Sequence, residues 1–149
     1  MVRGAFLNGD QMTAFKVLIV EDSNHYRQLL KETLHSGFPK TEIVEAIDGE
    51  EALQKIKALL PQLVFIDIRL PGESGLEITR KIKTQYPDIS VIILTSYDLP
   101  EYREAAHRYK ADYFLPKGST STEDILKLVQ SILSSRNIGF NTKNNNGLS

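Results

Sequence analysis

Three short apolar blocks punctuate the chain, at Val17-Leu18-Ile19-Val20, Leu63-Val64-Phe65-Ile66 and Val91-Ile92-Ile93-Leu94. They are too short for core helices, rich in β-branched residues, and apolar on both faces. Central strands of a parallel sheet read this way, because helices cover both sides. Glu42 to Ala46 and Tyr113 to Leu115 are weaker strand candidates. Between these segments apolar residues recur at helical spacing. Tyr26, Leu29, Leu30, Thr33 and Leu34 form one stripe, closing near Gly37 and Pro39. Ala52, Leu53, Ile56, Leu59 and Leu60 form a second, stopped by Pro61, and Leu76, Thr79, Ile82 and Tyr86 a third, stopped by Pro87. A shorter, more polar fourth helix spans about Pro100 to Lys110. The fifth carries Ile125, Leu128, Val129, Ile132 and Leu133.

Five strands alternating with five helices imply right-handed crossovers and a doubly wound α/β sheet. The strand order expected is 2-1-3-4-5, with ligands beyond the carboxyl ends of the strands where the order switches. The folded domain is expected over residues 16–136. Residues 1–15 read as a flexible extension, and 137–149, rich in Asn, Gly and Ser, as a disordered polar tail.

Composition narrows the chemistry. Apolar and charged fractions of 41% and 25% are those of a soluble globular protein. A net charge of −1 provides no global field toward nucleic acid or a membrane surface. The absence of cysteine excludes disulfides, thiolate metal sites and thiol catalysis, and agrees with a cytoplasmic setting. No secretory core occupies the first fifteen residues, and no apolar run reaches membrane-spanning length.

The polar residues that matter follow the strands. Glu21 and Asp22 come directly after the first strand, Asp67 after the third, Thr95 at the end of the fourth, and Lys117 just after the fifth. Four strands thus deliver three acids, a hydroxyl and an amine to one sheet edge. Carboxylates crowded there repel one another unless a cation sits among them. Oxygen donors without His or Cys suit Mg²⁺. A carboxylate beside such an ion can attack phosphorus and form an acyl phosphate, a reaction that needs mainly alignment and charge neutralisation.

Each residue has a plainer reading when taken singly. Asp22 and Ser23 would cap the first helix, Asp67 would belong to the turn at Pro71-Gly72, and Thr95 and Lys117 would be structural or solvated. His25 reads as a solvent-facing helix residue, His35 and His107 belong to no constellation, and Arg103, Arg108 and Lys110 read as a solvated basic flank. Asp48 reads as the cap of the second helix.

The motifs in order are Val20-Glu21-Asp22-Ser23, Phe65-Ile66-Asp67-Ile68-Arg69-Leu70-Pro71-Gly72 through Gly75, Ile93-Leu94-Thr95-Ser96 and Phe114-Leu115-Pro116-Lys117. Together they resemble the receiver domain of response regulators over roughly Lys16 to Arg136, with the Asp67-to-Gly75 stretch the most distinctive part. The resemblance implies a flavodoxin-like fold. It implies a two-component or phosphorelay switch in which Asp67 accepts a phosphoryl group from a phosphohistidine on a histidine kinase or histidine phosphotransfer protein. Mg²⁺ would be bound by Glu21, Asp22, Asp67 and the backbone carbonyl of Arg69. Lys117 would pair with the phosphoryl group. Thr95 would move toward it, vacating space for an aromatic ring, which is expected to be Phe114 rather than its neighbour Tyr113. The face of helix 4, strand 5 and helix 5 would then change its binding to a protein partner or to a second copy. Arg69 and Tyr97, two residues after Asp67 and Thr95, occupy positions that tune hydrolysis of the acyl phosphate in the family. Here they are expected to restrict the attacking water. Gly118 follows Lys117 where many receivers have a proline, so the cis peptide of those receivers is not expected.

The resemblance implies self-catalysed phosphoryl transfer and slow autodephosphorylation, with no separate enzymatic output. Output through protein contact is expected, without direct nucleic-acid or membrane binding. Two enzyme readings compete and fail on particular residues. A haloacid-dehalogenase-type phosphatase would need a second Asp where Arg69 stands. A nucleotide-binding enzyme would need a glycine-rich loop where Glu21 and Asp22 stand. The remaining rival is a receiver-like interaction module that works without phosphorylation, against which the intact Glu21, Asp22, Asp67, Thr95 and Lys117 speak.

Overall fold

A computed structural model describes residues 15–136. These fall into two compact units, residues 15–119 and 120–136. The first contains β1 (Lys16–Val20), α1 (Asn24–Gly37), β2 (Glu42–Ala46), α2 (Gly49–Leu59), β3 (Leu63–Ile66), α3 (Gly75–Gln85), β4 (Ser90–Thr95), α4 (Pro100–Arg108) and β5 (Tyr113–Pro116). The second contains α5 (Thr122–Arg136). The extension and tail expected at the chain ends lie outside the described residues, apart from Phe15. That residue is buried, and its carbonyl accepts from the Glu42 N–H, so the sheet begins one residue before β1.

The five strands are parallel in the order β2-β1-β3-β4-β5, as the alternation of elements predicts. Every residue of β3 is buried, as a strand covered on both faces requires. One face carries Leu18, Val20, Val64, Ile66, Val91 and Ile93, which pack with Ala52 and Ile56 of α2, Ile78 and Ile82 of α3, and Ala106 of α4. On the other face Ile19, Phe65 and Leu94 adjoin Tyr26 and Leu30 of α1.

Local chemistry sets the helix starts. The side chain of Ser23 accepts from the Tyr26 N–H, Asp48 from Glu51, and Ser74 from Leu76. At α5, Ser121 Oγ accepts from the Asp124 N–H while Asp124 returns a bond to the Ser121 N–H, a reciprocal capping box. α4 has no side-chain cap, begins at Pro100 and buries only Ala105 and Ala106.

Three positions depart from the predicted stripes. Leu29 is 41% exposed, because Leu30, Thr33 and Leu34 carry the buried side of α1. Leu60 is 59% exposed. It stands past the helix as a left-handed cap (φ 48°), since Pro61 disfavours a helical residue before it. Ile78, outside the predicted stripe, is buried one turn before Ile82 and faces the first residue of α2, Gly49.

Two polar anchors hold the ends of the sheet. At the carboxyl end, the Arg27 guanidinium donates to the Glu21 carbonyl (2.7 Å) and pairs with Glu45, which also pairs with Lys31. At the amino end, Lys83 donates to the carbonyls of Pro87 and Ile89 and to Asp112 Oδ2, which also accepts from the Val91 N–H. α3 is seated on the loop after β3 by contact at Gly75, whose N–H donates to the Ile68 carbonyl (2.9 Å). A Cβ built at Gly75 would lie 1.9 Å from the Asp67 carbonyl oxygen.

Gly75→Ala is therefore expected to cost at least about 2 kcal/mol in urea unfolding, because the clash is with backbone that cannot rotate away. Gly118→Ala, where an added Cβ meets nothing within 4 Å, is expected to be near neutral. The Lys31 ammonium, working with Arg27 against partial burial, holds the Glu45 carboxyl below its ordinary value. The stabilisation from ionised Glu45 is thus present above pH 4.5 and lost as pH falls through the lowered folded-state value. Glu45→Gln should cost up to about 1 kcal/mol at neutral pH, given the partial exposure of the pair. Denaturant unfolding at stepped pH should show that difference vanishing in acid.

Candidate functional site

The ladder continues one residue past β1, β3 and β5 and fixes where the polar residues stand. The Glu21 N–H donates to the Ala46 carbonyl (3.0 Å), the Asp67 N–H to Val20 (3.1 Å) and the Lys117 N–H to Thr95 (2.8 Å). Glu21, Asp67, Thr95 and Lys117 therefore lie along the carboxyl edge of the sheet.

At the centre of that edge the Lys117 ammonium donates to Glu21 Oε1 at 2.8 Å and to Asp67 Oδ2 at 3.0 Å. The side chains are 14%, 5% and 9% exposed respectively, so water screens these charges little. The second oxygen of each acid meets a backbone amide. Asp67 Oδ1 accepts from Ile68 (2.7 Å), and Glu21 Oε2 accepts from Ser23 (3.0 Å). Burial pushes the Glu21 carboxyl up, outweighing the hydrogen bonds from Lys117 and Ser23 that favour its charge. Burial alone would pull Lys117 down, but the hydrogen bond to Glu21 and the Asp67 charge raise it. Lys117 thus remains protonated at neutral pH. Two acids against one ammonium leave an excess of negative charge in a low-dielectric place. The donors around it are hard oxygens, a set chemically suited to a small divalent cation.

The remaining predicted residues stand around this centre. Asp22 is exposed, and among the described residues no group of three or more His, Cys, Asp or Glu side chains could hold a metal ion as they stand. Thr95 is fully buried, and its Oγ1 accepts from the Tyr97 N–H (3.3 Å). The exposed Arg69 guanidinium lies 4.0 Å from the Tyr97 ring centroid. A hydrogen bond with Tyr102, and then the nearby Tyr97, raise its pKa further above the ordinary value. Phe114 opposes Ile93 in the sheet and packs on the core of the α2–α3–α4 face, while Tyr113 is 40% exposed. Strand alternation thus sends Phe114 inward, where the Arg103 guanidinium covers its ring at 4.8 Å. Arg103 also bonds Asp98. His25, His35 and His107 are all exposed. The described residues contain no cis peptide bond.

Two residues at this edge are not apparent in the sequence as site residues. Arg27 supports the Glu21 carbonyl from α1. The half-buried Tyr26 places its ring 4.1 Å from Lys117 Nζ. Burial pushes its hydroxyl up; Lys117 opposes this, and Glu21 and Asp67 reinforce it. The available signal was their distance from the acidic pair. Both sit in the first turn of a helix whose cap, Ser23, adjoins Asp22.

Comparison with known proteins identifies the family and agrees with the fold. Residues 17–130 match the family model described as the response regulator receiver domain. An uncharacterised response regulatory protein of Staphylococcus epidermidis is 42% identical over 123 residues, 80% of this chain and 48% of the relative. The chain thus spans about half the length of the curated relatives it matches. Among solved structures, a CheY-like receiver domain protein from Methanospirillum hungatei superposes with a TM-score of 0.77 at 25% identity, covering 85% of this chain and 98% of that one. The response regulator TrrA from Thermotoga maritima, solved in complex with Mg²⁺-BeF, gives 0.70 at 35% identity, covering 79% and 98%. Among the described residues no helix is long and apolar enough to cross a membrane. By the matched residues and by its fold, this chain belongs to the receiver domain family of two-component response regulators.

Proposed function

We propose that the chain is a phosphorylation switch in which Asp67 accepts a phosphoryl group from the phosphohistidine of a histidine kinase or histidine phosphotransfer protein. The observation that carries this reading is the Lys117 ammonium held between two buried acids at the sheet edge, one of them Asp67. Such an arrangement prepares both the nucleophile and the cation that receives the transferred charge.

In the transfer, a carboxylate oxygen of Asp67 attacks phosphorus. The P–N bond to the donor imidazole breaks, and the new P–O bond leaves an acyl phosphate on Asp67. The released imidazole takes up a proton from solvent. Lys117, protonated at neutral pH, pairs with the phosphoryl oxygens. Thr95 accepts from the Tyr97 N–H, which leaves its own O–H to donate to the phosphoryl group. Glu21, Asp22, Asp67 and the backbone carbonyl of Arg69 are the oxygens that would hold Mg²⁺. When bound, the ion supplies neutralisation of the acids and of the incoming phosphoryl charge.

Output follows from the elements beyond Thr95. Movement of Thr95 toward the phosphoryl group opens space for the inward ring of Phe114, which releases the Arg103 contact and remodels the surface of α4 and β5. Tyr97, Leu99 and Tyr113 are exposed large side chains of that region, suited to a protein partner or a second copy. Arg69 stacked on Tyr97 stands beside the acceptor and limits access of water to the acyl phosphate.

Incubation with Mg²⁺ and a small acyl-phosphate donor, followed by intact mass measurement, is expected to show one phosphoryl adduct. That adduct should be absent from Asp67→Ala and lost when Mg²⁺ is chelated. A folded wild-type protein that forms none would favour a phosphate-independent interaction module. Once phosphorylated, the Arg69→Ala/Tyr97→Ala double variant should lose its phosphoryl group severalfold faster than wild type. An unchanged lifetime would remove the shielding role.

A further inference from the structure

The ammonium of Lys117 is bounded on three sides. Two are the carboxylates of Glu21 and Asp67, and the third is the face of the Tyr26 ring, 4.1 Å from Nζ. Tyr26 is held at the start of α1, in the same cleft as Glu21 and Asp67. Its N–H donates to Ser23 Oγ at the α1 cap (3.2 Å), and its ring shares a cleft with Leu30 and Phe65. A cation held over an aromatic face gains an attraction worth roughly 2- to 30-fold in an equilibrium constant, the larger value applying where water is excluded.

Building on the phosphoacceptor reading above, we propose that Tyr26 is a positioning residue that seats Lys117 on Glu21 and Asp67. In doing so it sets how readily those carboxylates exchange the ammonium for a divalent cation. The reasoning is one of shared ligands. Glu21 and Asp67 each give Lys117 one oxygen, and their other oxygens accept backbone amides. A divalent cation recruiting the same acids meets a neighbouring positive charge in a poorly screened place, so the ammonium must give way. Whatever favours the seated ammonium therefore opposes the ion. The ring does so without being a ligand. The effect belongs to the π face rather than the hydroxyl, so phenylalanine should replace tyrosine and an aliphatic side chain should not.

The test uses the full chain with Tyr26→Phe and Tyr26→Leu, each also in a Lys117→Met background, with folding checked by thermal melting. Tyr26→Met substitutes where the leucine variant is not folded. In the metal-free protein, NMR should show the Lys117 ε-methylene protons shifted upfield by the ring in wild type and Tyr26→Phe, and not in Tyr26→Leu. Calorimetric titration with Mg²⁺ should give a Kd unchanged in Tyr26→Phe and roughly 2- to 10-fold lower in Tyr26→Leu. No difference between Tyr26→Leu and Tyr26→Phe should remain in the Lys117→Met background. Equal Mg²⁺ affinity in wild type and Tyr26→Leu would overturn the proposal. So would a gain that persists without Lys117, or the absence of any ring shift. A folded wild type that binds no Mg²⁺, or binding indifferent to Asp67→Asn, would instead bring down the phosphoacceptor reading itself.

Discussion

The contact on which the rest of this structure depends is the double ion pair of Lys117 with Glu21 and Asp67. It joins residues 96 and 50 positions apart, one from each of three strand ends. Two carboxylates this deeply buried would be costly without a counter-ion, and a lone ammonium there would be equally so. Each makes the others tolerable, so the three groups occupy the same edge or none of them does. The sheet order supplies that meeting. β1 and β3 are neighbours, so Glu21 and Asp67 extend adjacent strands. β5 reaches them across β4, with Lys117 pinned by its N–H to the Thr95 carbonyl.

The surrounding residues divide into those that brace this edge and those around the Thr95 end of β4. Arg27 and Gly75 belong to the first group. One braces the carbonyl of Glu21 and the other lies against the carbonyl of Asp67. Arg69, Tyr97, Arg103 and Phe114 make a second set, linked by rings and guanidinium groups rather than by backbone ladders. Contacts of that kind are individually weak and exchange readily. α4, with no side-chain cap and two alanines as its buried residues, is attached in the same light manner.

The fold was legible in the sequence because its signals are local and redundant. Doubly covered strands show as unbroken apolar blocks, Pro61 and Pro87 mark helix ends, and Ser23 and Asp48 mark helix starts. The site was legible for a related reason, since a parallel sheet places its polar residues by counting from strand ends. Where the reading went astray, the deciding information lay across the molecule. Leu29 and Leu60 are apolar and near the right spacing, yet Leu29 lies off the side of α1 that Leu30, Thr33 and Leu34 bury, and Pro61 turns Leu60 out of α2. Ile78 is buried because Gly49, far away in sequence, leaves room for it. Tyr26 reads as ordinary helix packing until Lys117 is placed beside it, and Arg27 until the Glu21 carbonyl is. The expected inward choice of Phe114 over Tyr113, by contrast, agrees with the register of β5 on β4, which packs Phe114 on the core.

The Lys83 anchor bears on how this sheet can change shape. Its ammonium ties the end of α3 to the segment entering β4 and to Asp112 ahead of β5, and Asp112 in turn holds both the N–H and the carbonyl of Val91. Sliding β4 lengthwise would break the bonds to Ile89 and Val91 together, at the end of the strand opposite Thr95. A rearrangement beginning at Thr95 and running into the following loop breaks none of them. The root of β4 is thus tied by side chains to α3 and to the start of β5, while its tip carries Thr95. The hydroxyl, the stacked arginine and the lightly fastened α4 are all at the tip.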